Sequence, residues 1–130
     1  MNVSMAGFAA VGVGAAIGAW CRFGLSIWLN HRHPHFPLGT FAANAIGGLL
    51  VGVALAYIAR HPEWSPVWRL FVITGLLGGL TTFSTFSAEV VTLIERGNVA
   101  WALVVGGGHL FTSLILTVVG ISLVRAFPQT

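Results

Sequence analysis

The sequence predicts an all-α integral membrane protein of four transmembrane helices, and three observations carry that reading. The 130-residue chain is 56% apolar and only 7% charged, whereas a soluble domain carries about 25% charged residues. A soluble fold of this size has no interior large enough to hide so much apolar surface. The apolar residues also gather into four stretches, each longer than the roughly 20 residues a helix needs to cross a bilayer.

The first span is expected from about Met5 to Leu29. No charged segment precedes it, and Arg22 stands where a cleavage site would fall, so it reads as a span and not a signal peptide. The second runs from about Leu38 to Ala59, the third from about Val67 to Ile94 and the fourth from about Val99 to Phe127. The links between them (Asn30–Pro37, Arg60–Pro66 and Glu95–Asn98) are short and carry Pro34, Pro37, Pro62, Pro66 and Gly97-Asn98 as breakers. They leave no room for a soluble domain, so residues 1–130 read as one membrane domain.

Charge placement bears on assembly. The net charge of +3 comes from six arginines and three glutamates, too few for a nucleic-acid footprint. With four spans, Arg60, Arg69 and Arg125 lie on one side of the membrane, and Arg22, Arg32 and Arg96 on or toward the other. The positive-inside rule has almost no bias to read in that tally. A chain without an orientation signal inserts both ways, so dual topology and an antiparallel homodimer are expected. The small-residue pairs Gly14/Gly18, Gly48/Gly52 and Gly75/Gly79 suit close helix approach, within one subunit or between two. Cys21 is alone, so no intrachain disulfide forms.

The chemistry is concentrated in Gly75–Glu89. Three glycines, five hydroxyl side chains, two phenylalanines and a carboxylate fall within fifteen residues of an otherwise apolar span. Hydrocarbon does not tolerate that polarity unless protein or a water-filled path receives it. The third span is longer than a bilayer requires, and Gly78-Gly79 is the expected place for a break. Carbonyls freed at a break are hard ligands suited to an alkali cation; the other reading is a glycine-softened helix. Downstream, Thr81, Thr85 and Glu89 are spaced to share one helix face, and Phe83 and Phe86 another. Phenylalanine ring edges are electropositive, so two such rings among hydroxyls can line a dry path for an anion, or simply face lipid.

The fourth span adds His109, Ser113 and Thr117 as a polar stripe, with Thr112 beside it. An ionisable residue inside a span is a functional candidate by default. Asn44 in the second span can join helices or donate to a passing anion. Arg22 snorkels to the interface or pairs inside the protein. Glu89 is what a proton-coupled carrier needs, and also what an ion path uses to tune hydration. His31, His33 and His35 alternate like metal ligands, but Pro34 interrupts them and the loop holds no carboxylate, so a polar loop is the better reading. No nucleophile–base set, phosphate loop or zinc motif occurs, so an enzyme is not expected.

At these residues the chain resembles the Fluc, or CrcB-type, fluoride channels. Gly78-Gly-Leu-Thr-Thr-Phe-Ser-Thr-Phe-Ser-Ala-Glu89 closely resembles the family's signature, Asn44 with Gly47-Gly48 a second element, and Arg22 after Ala19-Trp20-Cys21 a third. Length and span count agree, so the resemblance covers essentially the whole chain. It implies an antiparallel, dual-topology homodimer in the cell (inner) membrane, with two pores exporting fluoride passively and selectively over chloride. It further implies that Phe83 and Phe86 line the pore, that Asn44 is a pore amide donor, and that His109, Ser113 and Thr117 form a polar track. Carbonyls of Gly78 and Thr81 from both subunits would hold a central structural Na+. Arg22, Thr40, Ser84, Thr85 and Glu89 would take vestibule or supporting places.

Fluoride is small and strongly hydrated, so a dry pore must replace its water with placed donors that carry no trapping charge. The competing class is a small dual-topology proton-coupled exchanger using Glu89. Such carriers resemble this chain in size, but their essential carboxylate sits in the first span, where this chain has none.

Overall fold

The computed structural model describes residues 4–129. Four helical stretches in it are long and apolar enough to cross a membrane. Helix α1 (Met5–Leu29) starts on Ser4, whose hydroxyl accepts the Gly7 N–H at 3.1 Å and so satisfies one of the free amides of the first turn. Helix α2 (Leu38–Arg60) follows a loop closed by Asn30, whose Oδ1 accepts the N–H groups of Gly39 at 2.8 Å and Thr40 at 3.2 Å. Proline at position 37 offers no side-chain cap, so the cap arrives from the preceding helix end.

The third stretch is built in pieces. Pro66–Arg69 begins it on a Ser65 cap, Leu70–Leu77 winds in wide π-type turns, and Gly78–Leu80 returns to α geometry; together these make α3. Thr81 is extended (φ −85°, ψ 155°), and α4 (Ser84–Glu95) begins after Phe83. Gly78 and Gly79, the expected breakers, are therefore helical, and the helix lapses at Thr81–Phe83 instead. Thr82 Oγ1 accepts the Thr85 N–H at 3.1 Å, which caps the new helix. Gly97 (φ +78°) closes α4, with Gly97 N–H on Ile94 O at 2.9 Å and Asn98 N–H on Leu93 O at 2.8 Å. That left-handed turn costs glycine little and lets α5 (Val99–Ala126) begin at once.

Glycines fuse the helices into two pairs. A Cβ on Gly18 would strike Leu76 O, and one on Gly79 would strike Ala15 O, so α1 and α3 meet backbone to backbone. A Cβ on Gly52 would strike Thr117 O, and one on Gly120 would strike Leu49 O, which joins α2 to α5 in the same way. All three small-residue pairs of the sequence are thus used within the chain. Two small apolar clusters complete the interior: Ala43 with Leu77 and Leu80, and Leu93 with Ala102 and Val105.

Candidate functional site

Between these pairs the Thr81–Phe83 link lies against α2 and α5. In an unbroken helix the Thr82 N–H would return to the Gly78 carbonyl. Here it donates to Asn44 Oδ1 at 2.8 Å, while Asn44 Nδ2 donates to the Thr82 carbonyl at 2.9 Å. One buried amide thereby pairs with both backbone groups of the residue where the helix lapses. The exchange frees the Gly78 carbonyl from its helical partner. The neighbouring Gly79 carbonyl accepts Arg22 Nε–H at 3.1 Å. Arg22 thus sits at the C-terminal end of α3, where a cation opposes the negative end of the helix dipole. Thr81 Oγ1 donates to Leu77 O at 2.9 Å.

Asn44 also faces His109 on α5, with Nδ2 and Nδ1 2.9 Å apart. His109 is buried beneath aromatic rings: Phe86 stacks on it at 4.8 Å and 11°, and Phe41 meets it edge-on at 5.5 Å. Phe83 stands edge-to-face with Phe86 at 4.8 Å and 81°. A cleft of about 420 Å³ brings Asn44, Gly78, Thr81, Phe83, Phe86, His109 and Ser113 together. It is open along one side, where Phe83 is 76% exposed.

The remaining expected site residues lie elsewhere. Thr117 Oγ1 turns to the backbone, within 2.9 Å of both Gly48 O and Ser113 O. The stripe on α5 is therefore a pair, His109 and Ser113, with the third hydroxyl spent on the α2 seam. Thr81 precedes α4 in extended conformation, so it does not share a face with Thr85 and Glu89, whatever the spacing suggested. Those two line a second depression of about 320 Å³ with Asn30, His33, His35 and Arg96. There Thr40, fully buried, donates from Oγ1 to Glu89 Oε1 at 2.7 Å. Ser84 is exposed.

The loop histidines make a structural corner. His33 Nδ1 accepts the N–H groups of His35 and Phe36, at 3.1 and 2.9 Å, and both rings pack on Trp101. Among the described residues, no three His, Cys, Asp or Glu side chains gather as a metal site. Thr82 is the residue that sequence reasoning passed over. Its spacing to Thr85 is that of a helix N-cap, and this was the available signal.

Residues 9–121 match the family described as CrcB-like protein, Camphor Resistance (CrcB). The chain belongs to that family. It is 58% identical over 116 residues to the fluoride-specific ion channel FluC of Thiobacillus denitrificans, covering 89% of this chain and 94% of that one. It is 54% identical over 121 residues to the protein of that name from Ralstonia pickettii, covering 93% and 96%. The protein of that name from Cupriavidus metallidurans is 51% identical over 120 residues, covering 92% and 95%.

Proposed function

We propose that this CrcB-family chain is a passive, fluoride-selective channel that exports fluoride from the cytoplasm across a bacterial cell membrane. It is a multi-pass membrane protein and not an enzyme. The observation that carries the reading is the cleft, where an edge-to-face phenylalanine pair adjoins the buried imidazole of His109 and the half-buried Ser113 inside an apolar bundle. Electropositive ring edges and neutral donors can replace water around a small anion without a fixed charge to trap it. An inside-negative potential drives a monovalent anion outward at about 2.3 kcal/mol per 100 mV, so no coupling machinery is needed.

The working unit in this reading is an antiparallel homodimer with two pores. Supporting it are the even arginine tally, the open side of the cleft with Phe83 exposed, and the row of exposed apolar residues Leu103, Leu110, Phe111 and Leu114 on α5. Phe83, Phe86, His109 and Ser113 would line each pore, with Asn44 and Thr117 in its wall. Arg22, Thr40, Ser84, Thr85 and Glu89 would take supporting or vestibule places. A structural Na+ would sit where two subunits meet. The freed carbonyl of exposed Gly78 and the extended backbone at Thr81 fit a hard cation, and the ion would fix the two links against each other.

The test is fluoride efflux from proteoliposomes, read with a fluoride electrode, with potassium and valinomycin setting the potential and chloride run in parallel. Rapid fluoride efflux without chloride efflux or a proton gradient is the expected result. Absence of fluoride efflux from a well-folded protein overturns the reading.

A further inference from the structure

Two histidines of the first loop use the same ring nitrogen in opposite ways. His31 Nδ1 faces the Ile27 carbonyl at 3.2 Å. A carbonyl only accepts, so that nitrogen carries a proton and donates. His33 Nδ1 faces two backbone N–H groups, those of His35 at 3.1 Å and Phe36 at 2.9 Å. An N–H only donates, so this nitrogen is bare and the proton of the neutral ring sits on Nε2. A second proton therefore has different consequences at the two sites. On His31 it falls on the other nitrogen, and the bond to Ile27 survives. On His33 it falls on the acceptor itself, and both amides lose their partner at once.

What His33 holds reaches the cleft. The Phe36 ring lies edge-to-face with Phe41 at 5.1 Å and near-parallel to His109 at 6.5 Å and 22°. Phe41 meets His109 edge-on, and His109 lines the cleft with Phe83 and Phe86. Phe36 also packs, with Trp101, on the cluster of Leu93, Ala102 and Val105. The half-buried His33 ring rests on Trp101 at 5.0 Å. One imidazole thus ties the loop corner, and the corner sets where Phe36 enters the bundle.

We propose that His33 is a positioning residue for the pore: its bare Nδ1 latches Phe36 behind the aromatic wall of the cleft, and a proton on that nitrogen releases the latch and slows fluoride efflux. The role rests on the channel reading above. Imidazole is the side chain whose charge changes in the mildly acid range. The charged and titratable groups around His33 are few. His35 stands at 6.4 Å between ring centroids, and Arg96 and Glu89 of α4 line the same depression. Arg96 opposes a proton on the ring and Glu89 favours one, while Trp101 of α5 carries no charge. His31 and Arg32 turn back to the Ile27 and Trp28 carbonyls of α1.

An asparagine separates the latch from the proton. Its carbonyl stands as far from the backbone as Nδ1 and accepts N–H groups two residues on, as in an Asx-turn, but takes up no proton. Fluoride efflux is compared with both faces of the vesicle at about pH 7.5 and then about pH 5.5, which bracket the imidazole range, and protein-free vesicles give the leak of neutral acid. Wild type should slow by about fivefold at the lower pH, the weight of one net hydrogen bond. His33→Asn should match wild type at the higher pH and keep that rate at the lower one. His31→Asn, at an exposed position, should slow as wild type does. A wild type indifferent to pH, or a His33→Asn channel that still slows, overturns the proposal. The ring itself gives a readout that does not depend on transport. In 15N-histidine-labelled protein near neutral pH, the imidazole signals lost in His33→Asn should show a bare Nδ1 and a protonated Nε2; a protonated Nδ1 there overturns the latch whatever the flux. A wild type that passes no fluoride at either pH overturns the channel reading itself and, with it, the role of His33 in the pore.

Discussion

The glycine seams and the cleft are built by opposite means. Along the α1–α3 and α2–α5 seams, backbone meets backbone and side chains are nearly absent. Gly14, Gly18, Gly48 and Gly52 are all buried there. In the cleft the backbone is held apart by large rings, and polar side chains do the joining. The difference teaches where this chain keeps unspent hydrogen-bonding capacity. The seams use theirs up: even Thr117, a stripe residue by spacing, donates into a seam at 2.9 Å. The cleft leaves a free carbonyl at Gly78, a hydroxyl at Ser113 and an orphan nitrogen on His109.

The largest expected effect comes from opening a seam. Gly79→Val puts a branched side chain where even a Cβ would overlap the Ala15 backbone. Ordinary overpacking costs about 1–3 kcal/mol, and a clash with backbone cannot be relieved by a rotamer change. The variant should lose most of its monodisperse yield in detergent. Gly106→Ala is the control, since its Cβ would meet only Val90 Cγ2 at 3.7 Å; it should hold or gain up to about 1 kcal/mol through helix propensity. Equal behaviour of the two would mean that the seams do not hold the helices together.

Next is the residue that ties a seam helix to the cleft. Asn44→Ala orphans the Thr82 N–H and C=O together, at about 1–3 kcal/mol for each buried group. Thermal unfolding should move down markedly, and fluoride efflux should fall with it. A variant with wild-type stability and lost efflux would instead mark Asn44 as a group that meets the ion directly.

These two predictions also show what the sequence made legible. Four apolar stretches and their short links are a matter of composition and length, and so the four helices could be read directly. The crowding of hydroxyls and phenylalanines in Gly75–Glu89 marked the stretch of the third span in which the helix lapses. Spacing failed where it assumed a continuous helix. Thr81 shares no face with Thr85 and Glu89 because its backbone is extended. The lapse falls after Leu80 and not at the glycine pair, because Gly79 is needed as a flat surface against Ala15. Partners far apart in the chain were also out of reach. Nothing local to Asn44 announces that Thr82 and His109, 38 and 65 residues away, will consume its amide.

A smaller and more selective effect is expected inside the cleft. Phe83 is 76% exposed in the single chain, so Phe83→Ile should leave the subunit fold intact while keeping an apolar side chain on the open side of the cleft. Removing an electropositive ring edge should cut fluoride efflux by about tenfold, the order of one such aromatic interaction. Efflux equal to wild type, with the protein still assembled, would take that ring out of the mechanism and leave Phe86 and His109 to carry it.

The smallest effect belongs to the second depression, and it tells a channel from a carrier. Glu89 is held by Thr40 through Oε1 at 2.7 Å, while its Oε2 is buried without a partner. A proton-coupled exchanger would load its proton there, and Glu89→Gln, which cannot ionise, would abolish coupled transport. In a passive channel Glu89 borders the path without driving it. The glutamine amide can still accept the Thr40 hydrogen bond through its oxygen, so the packing survives. Efflux under a valinomycin-set potential should then change by only a few-fold, about 1 kcal/mol in barrier height. Chloride should stay excluded, and imposing or collapsing a proton gradient should make no difference to wild type or variant. Complete loss of transport in Glu89→Gln, together with dependence of the wild type on the proton gradient, would make Glu89 the centre of the molecule and reduce the cleft to packing.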